Sequence, residues 1–125
     1  MTTPATPAYA IAYLRDVDLG PEIFQYIERI DATLAPYGGR FLVHGGPITP
    51  AEGEWDGDVV IIEFPEAESA EQWYDSPAYQ EILPLRTEHS RSMAALLHGV
   101  PRGYRAVDKL GELMGSEEGS APRSR

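Results

Sequence analysis

Apolar positions along the chain switch between a two-residue and a helical period, and the switches mark out the elements. Residues 8–15, Ala-Tyr-Ala-Ile-Ala-Tyr-Leu-Arg, alternate small and large side chains. Tyr9, Ile11 and Tyr13 share one face and Ala10, Ala12 and Leu14 the other, which predicts a first strand. After Gly20 and Pro21, the apolar residues Ile23, Ile27, Ile30 and Leu34 recur at helical spacing, with Pro21 at a position that starts helices well. That helix is expected to end near Pro36-Tyr37-Gly38-Gly39, and Arg40 to His44 reads as a short second strand. Gly45, Gly46, Pro47, Pro50, Gly53 and Gly57 then make the next segment too rich in breakers to be regular.

Asp58 to Phe64 is the clearest strand, a β-branched run with apolar residues on both parities, and the pattern predicts burial on both faces. A helix is expected from Glu66 to Tyr74, and Ser76-Pro77 reads as a cap and restart, with Tyr79, Ile82 and Leu83 packing inward. Pro84 is expected to break that turn, and Ser92 to Val100 to form the last strand. Strand, helix, strand, strand, helix, strand is the split βαβ order, a ferredoxin-like α+β sandwich with an antiparallel four-stranded sheet and both helices on one face. Two helices cover one face only, so an identical sheet from a second copy is the expected cover for the other, giving a homodimer.

At 125 residues and 42% hydrophobic side chains, the chain suits one domain, placed at residues 1–101, with a C-terminal extension over 102–125. A short helical stretch is expected around Val107 to Met114, and past Gly115 the Gly, Ser and charged residues predict disorder. The absence of cysteine excludes disulfides, thiolate metal sites and cysteine nucleophiles. The formal charge is −10, and residues 1–101 carry sixteen acids against five bases. Such a surface repels phosphate backbones and anionic lipid, so neither nucleic acid nor membrane is an expected partner. With no bilayer-spanning apolar run and no signal-peptide pattern at the start, the expected location is cytoplasmic.

Gly38-Gly39-Arg40-Phe41-Leu42-Val43-His44-Gly45-Gly46, Val60-Ile61-Ile62-Glu63-Phe64-Pro65, Trp73-Tyr74-Asp75-Ser76-Pro77-Ala78-Tyr79-Gln80 and the Pro84-Leu85-Arg86 step occur in that order. Over Tyr9 to Val100 the chain resembles the bacterial family catalogued as domain of unknown function 1330, in the dimeric α+β barrel superfamily. The resemblance implies a ferredoxin-like protomer whose sheet packs on its partner's. Superfamily relatives include cofactor-independent monooxygenases, lactone isomerases, polyketide cyclases and haem proteins, so it implies no single reaction.

His44, Glu63 and Arg86 are the candidate catalytic residues. His44 ends a strand before two glycines that permit close approach of a ligand, and histidine can serve as general acid or base. A turn-side or dimer-contact histidine is the plainer reading. Glu63 is the lone charge in an apolar strand, where a carboxylate must be paired or neutralised. Arg86 is its expected partner, either as a structural ion pair or with spare donors that grip a substrate carboxylate. Tyr13, Trp73, Ser76, Tyr79 and Arg86 are the candidate substrate-binding residues, since aromatics with a few polar handles build small-molecule sites, although an aromatic cluster is more often core. His89 and His98 show no metal-ligand spacing with His44 or each other, and no nucleophile elbow or phosphate loop is present, so neither metal nor cofactor is expected. Two functions remain: a cofactor-independent isomerase, cyclase or monooxygenase acting on a small aromatic or carboxylated metabolite, or a homodimer that binds a ligand or regulates without chemistry.

Overall fold

The computed structural model describes residues 6–119, with side chains as far as Gly115. Strand β1 (Ala8–Arg15) leads into helix α1 (Pro21–Leu34), strands β2 (Arg40–His44) and β3 (Asp58–Phe64), helices α2 (Ala67–Asp75) and α3 (Pro77–Thr87), strand β4 (Arg91–His98) and helix α4 (Asp108–Gly119). The sheet is antiparallel in the order β2-β3-β1-β4, which makes the domain a ferredoxin-like α+β sandwich as its pattern predicts. No helix among the described residues is long and apolar enough to cross a membrane.

Local chemistry accounts for the element ends. Pro21 fixes the first turn of α1, and after a 3-10 turn at Ala35–Tyr37 the chain reverses through Gly38 at φ 72°. At Gly39 an added Cβ would lie 2.8 Å from both Leu34 and Phe64, so only glycine lets β2 start this close to the core. Ser76 separates α2 from α3: its Oγ donates to the Trp73 carbonyl at 2.7 Å and accepts from the Tyr79 N–H at 3.2 Å, an N-cap for α3.

Three boundaries differ from expectation. Pro84 does not break α3, which runs on to Thr87. Proline removes one backbone N–H and crowds the carbonyl four residues back, but the burial of Ile82 and Arg86 on one face holds the helix together while Pro84 points to solvent. Strand β4 ends at His98 rather than Val100 because its partner β1 begins at Ala8, and the last tie is Gly99 N–H to the Pro7 carbonyl at 2.8 Å. Helix α4 extends to Gly119, past the Met114 limit; the remainder of the stretch expected to be disordered, from residue 120, lies outside the described residues.

The core is concentrated at one end of the helix-covered face. Phe64 and Ile82 are fully buried, and Ala8, Leu34, Ala70, Trp73 and Tyr79 close around them. Toward the Leu14 end the same face is hollow. The strand that runs down its middle presents Ala8, Ala10 and Ala12 to the helices, and β4 adds Ala94, so the space that larger side chains would fill is left open.

Candidate small-molecule site

That hollow is a cavity of about 520 Å³ between sheet and helices. Ala10, Ala12, Val60 and Ile62 form its floor, Ile23, Tyr26, Ile27 and Ile30 of α1 its roof, and Trp73, Tyr74 and Tyr79 its closed end. The volume is that of an ordinary small-ligand pocket, and the lining is mostly apolar. Ile27 is 45% exposed despite lying on the apolar stripe of α1, because the cavity opens beneath it.

Polar groups gather at the α3 side. Arg86 is 5% exposed, and its Nη1 donates to Ser92 Oγ on β4 at 2.6 Å. The Tyr26 and Tyr79 hydroxyls lie 2.7 Å apart and share one hydrogen bond, while the Arg86 guanidinium carbon is 6.0 Å from the Tyr26 ring centre. Burial first, and then Tyr79, push the Tyr26 phenol well above the usual phenol range. Burial disfavours the charge on Arg86, yet the Tyr79 and Tyr26 hydroxyls outweigh it and its hold on the proton is raised. Among the described residues no carboxylate lies within 4 Å of this guanidinium. The cluster is therefore rich in donors: two phenol hydrogens of which the pair uses one, and guanidinium hydrogens beyond the one given to Ser92.

At the opposite side His44 reaches the cavity through a β-bulge. Phe41 pairs with Ile62 and His44 with Val60, with a register shift between, so two residues three apart face the same side and their rings stack at 4.4 Å. Asp58, two residues from Val60 on β3, also lines this edge.

The expected pairing of Glu63 with Arg86 is not formed. Glu63 lies on the far face of the sheet, directly opposite Arg40 on β2 and Tyr9 on β1. Arg40 grips it at 2.9 Å through Nε and Nη2, and the Tyr9 hydroxyl lies 3.5 Å away. The strand alternation that sends Ile62 and Phe64 to the core sends Glu63 away from Arg86. Tyr13 is likewise on the far face, where its hydroxyl donates to Asp56 at 2.7 Å and its ring meets Trp55 edge-on at 6.1 Å. Ser76 caps a helix and does not line the cavity. His44, Trp73, Tyr79 and Arg86 are brought together around one cavity; Glu63, Tyr13 and Ser76 are not. Tyr26, Asp58 and the alanine floor escaped sequence reasoning. Tyr26 had a signal, since it falls on the Ile23–Ile30 stripe, whereas Asp58 looked like an ordinary strand start. Among the described residues no group of three metal-ligating side chains occurs.

The family model of the domain of unknown function DUF1330 matches residues 7–100. The chain belongs to the DUF1330 family. Helix α4 lies beyond the matched DUF1330 region. No curated protein matches. Among solved structures, the methylated RPA0582 protein of Rhodopseudomonas palustris has 20% identity and a TM-score of 0.56, with 80% of this chain and 85% of that one covered. SnoaB of Streptomyces nogalater, described as a cofactor-independent oxygenase, has 14% identity and a TM-score of 0.54 over 81% of this chain and all of that one (100%). A dimeric ferredoxin-like protein of unknown function from Thermobifida fusca has 17% identity and a TM-score of 0.53, with coverages of 78% and 95%. At these identities the likeness is one of fold, and DUF1330 membership carries no activity with it.

Proposed function

We propose that this chain handles a small aromatic or carboxylated metabolite in the alanine-floored cavity, with the metabolite's anionic group held on Arg86. The observation that carries the reading is a buried guanidinium with no carboxylate partner among the described residues, facing an apolar space. A buried charge costs several kcal/mol unless it is compensated, and the Ser92 hydroxyl and two phenols compensate it only in part. An anionic ligand supplies the missing charge, and the spare donors of Arg86 and the tyrosine pair supply its hydrogen bonds.

The same donors suit an oxyanion that develops during reaction, such as an enolate, and His44 at the mouth is the proton acceptor of the site. We therefore assign cofactor-independent chemistry of the isomerase, cyclase or monooxygenase type to the cavity. SnoaB, with its cofactor-independent oxygenase description, supports that assignment by its shared fold. Glu63 has no part in it. A second copy is assigned to the open face of the sheet, where Met93 and Leu97 are exposed beside half-buried Ile11 and Ile61. The dimeric Thermobifida fusca neighbour supports this assembly.

The test is capture of metabolites from lysate, identification by mass spectrometry, and titration into the wild type and Arg86→Lys. The variant is expected to stay folded by its melting curve and to bind about 10- to 100-fold more weakly, because an ammonium cannot reproduce the guanidinium fork. Unchanged affinity in a folded Arg86→Lys protein would sink the proposal.

A further inference from the structure

The cavity has two polar edges, and their spacing bears on what fits between them. On the helix-covered face, Asp58 of β3, Leu14 of β1 and Ser92 of β4 form one row across the sheet. Two inter-strand steps put Asp58 and Ser92 about 10 Å apart. Ser92 carries Arg86 at 2.6 Å, so the donor cluster stands at one end of the row. At the other end stand Asp58 and, one strand further out, His44, both lining the cavity. Neither side chain makes a hydrogen bond or ion pair with any described residue, and both are open to solvent at the mouth. Between the two ends the floor is Leu14, with Val60, Ala12 and Ala94 in the next row beside it, and nothing polar to bond.

We propose that the ligand is bipolar: a flat aromatic acid whose carboxylate sits on Arg86 and whose far end carries a hydroxyl or amino donor, bonded at Asp58 and His44. This rests on the reading of the cavity as an anion pocket and adds the second contact. An ionised Asp58 is acceptor-only, and a neutral imidazole offers one acceptor nitrogen, so this end recognises O–H or N–H. It also rejects a second anion. The chain's charge of −10 works in the same direction, favouring a ligand with one negative group shielded deep in the site over a dianion. The floor needs a planar, apolar body of one or two rings to bridge the row, and the volume of about 520 Å³ accommodates it.

Three rigid probes of matched shape test this by calorimetric titration: 6-hydroxy-2-naphthoate, 2-naphthoate and 2,6-naphthalenedicarboxylate. The hydroxy acid is expected to bind at least tenfold more tightly than 2-naphthoate, and the dicarboxylate at least tenfold more weakly than the hydroxy acid. In Asp58→Ala/His44→Phe, whose phenyl ring keeps the stack on Phe41, the hydroxy acid and 2-naphthoate should bind within twofold of each other. Arg86→Lys should weaken both equally. Melting curves confirm that each variant is folded. Equal binding of 6-hydroxy-2-naphthoate and 2-naphthoate to the wild type would overturn the second contact and leave the anion pocket standing. Binding of neither acid would overturn both, and a preference for the hydroxy acid that survives in the double variant would assign its donor to other residues and overturn the role of Asp58 and His44.

Discussion

The two faces of the sheet are made by the same four strands and differ in what they do with size. On β1, Ala8, Ala10 and Ala12 turn to the helices while Tyr9, Ile11 and Tyr13 turn the other way. The helix-covered face buries Phe64 and Ile82 at one end and is left hollow at the other. Apart from Ala95, the open face carries large side chains, among them Met93 at 63% and Leu97 at 45% exposure. Charge follows the same division. Arg86 on the covered side has no carboxylate, whereas Arg40 on the open side is matched to Glu63 at 2.9 Å. Small residues and an unmatched cation leave a hollow on one face; larger residues and a matched charge make a surface on the other.

The largest effect is expected at the centre of the open face. If it is a dimer interface, Ile11→Asp places a charge on each side of a desolvated contact, costing several kcal/mol of association. The wild type should scatter light at twice the 13.8 kDa chain mass at micromolar concentration, and the variant at the mass of one chain. A monomeric wild type would remove the partner from that face.

The hollow end responds in the opposite sense. Ala12→Leu fills part of the cavity with three carbons and should raise stability by about 1–2 kcal/mol. It should also lower affinity for captured metabolite by about 100-fold, and a variant that binds normally would show that the ligand sits elsewhere.

Alkaline titration sharpens the contrast between buried and exposed phenols. Tyr26 has its pKa raised in the folded chain above the unfolded value of 10.0. Below pH 10 both states hold the proton; above it the unfolded chain releases it and the folded chain does not. Stability therefore falls as pH rises, by about 1 kcal/mol between pH 10 and 11 from this group. Tyr26→Phe should show a correspondingly shallower loss in denaturant melts between pH 10 and 11, and an unchanged slope would mean that Tyr26 ionises freely in the fold.

The smallest effect belongs to Glu63, the carboxylate first expected to partner Arg86. Glu63→Gln breaks a half-exposed contact with Arg40 and should cost about 0–1 kcal/mol with metabolite affinity intact. A large loss of binding there would return Glu63 to the site.

Element positions were legible along the chain because they depend on local period and on breakers: the limits of β1, β2 and β3 follow from alternation bounded by Gly and Pro, and the α1 start from Pro21. The alternation on β1 also held the key to the cavity, since a strand that shows Ala8, Ala10 and Ala12 to its helices, with Leu14 its one large residue on that face, leaves the core beside them unfilled. The partner of Glu63 was not legible. The 13-residue loop 45–57 leaves the β2–β3 register undetermined, and only the formed hairpin sets Arg40 opposite Glu63. The bulge between Phe41 and Val43 is likewise a product of pairing, and without it His44 would face away from Phe41 and the cavity. By itself, then, the sequence determined the elements, their order and which residues share a face, because these depend on neighbours a few positions apart. The tertiary structure alone decided which charges meet and which are left unmatched, because Arg86, Tyr26 and Ser92 come from three separate elements and acquire their chemistry only when the core at Phe64 and Ile82 draws those elements together.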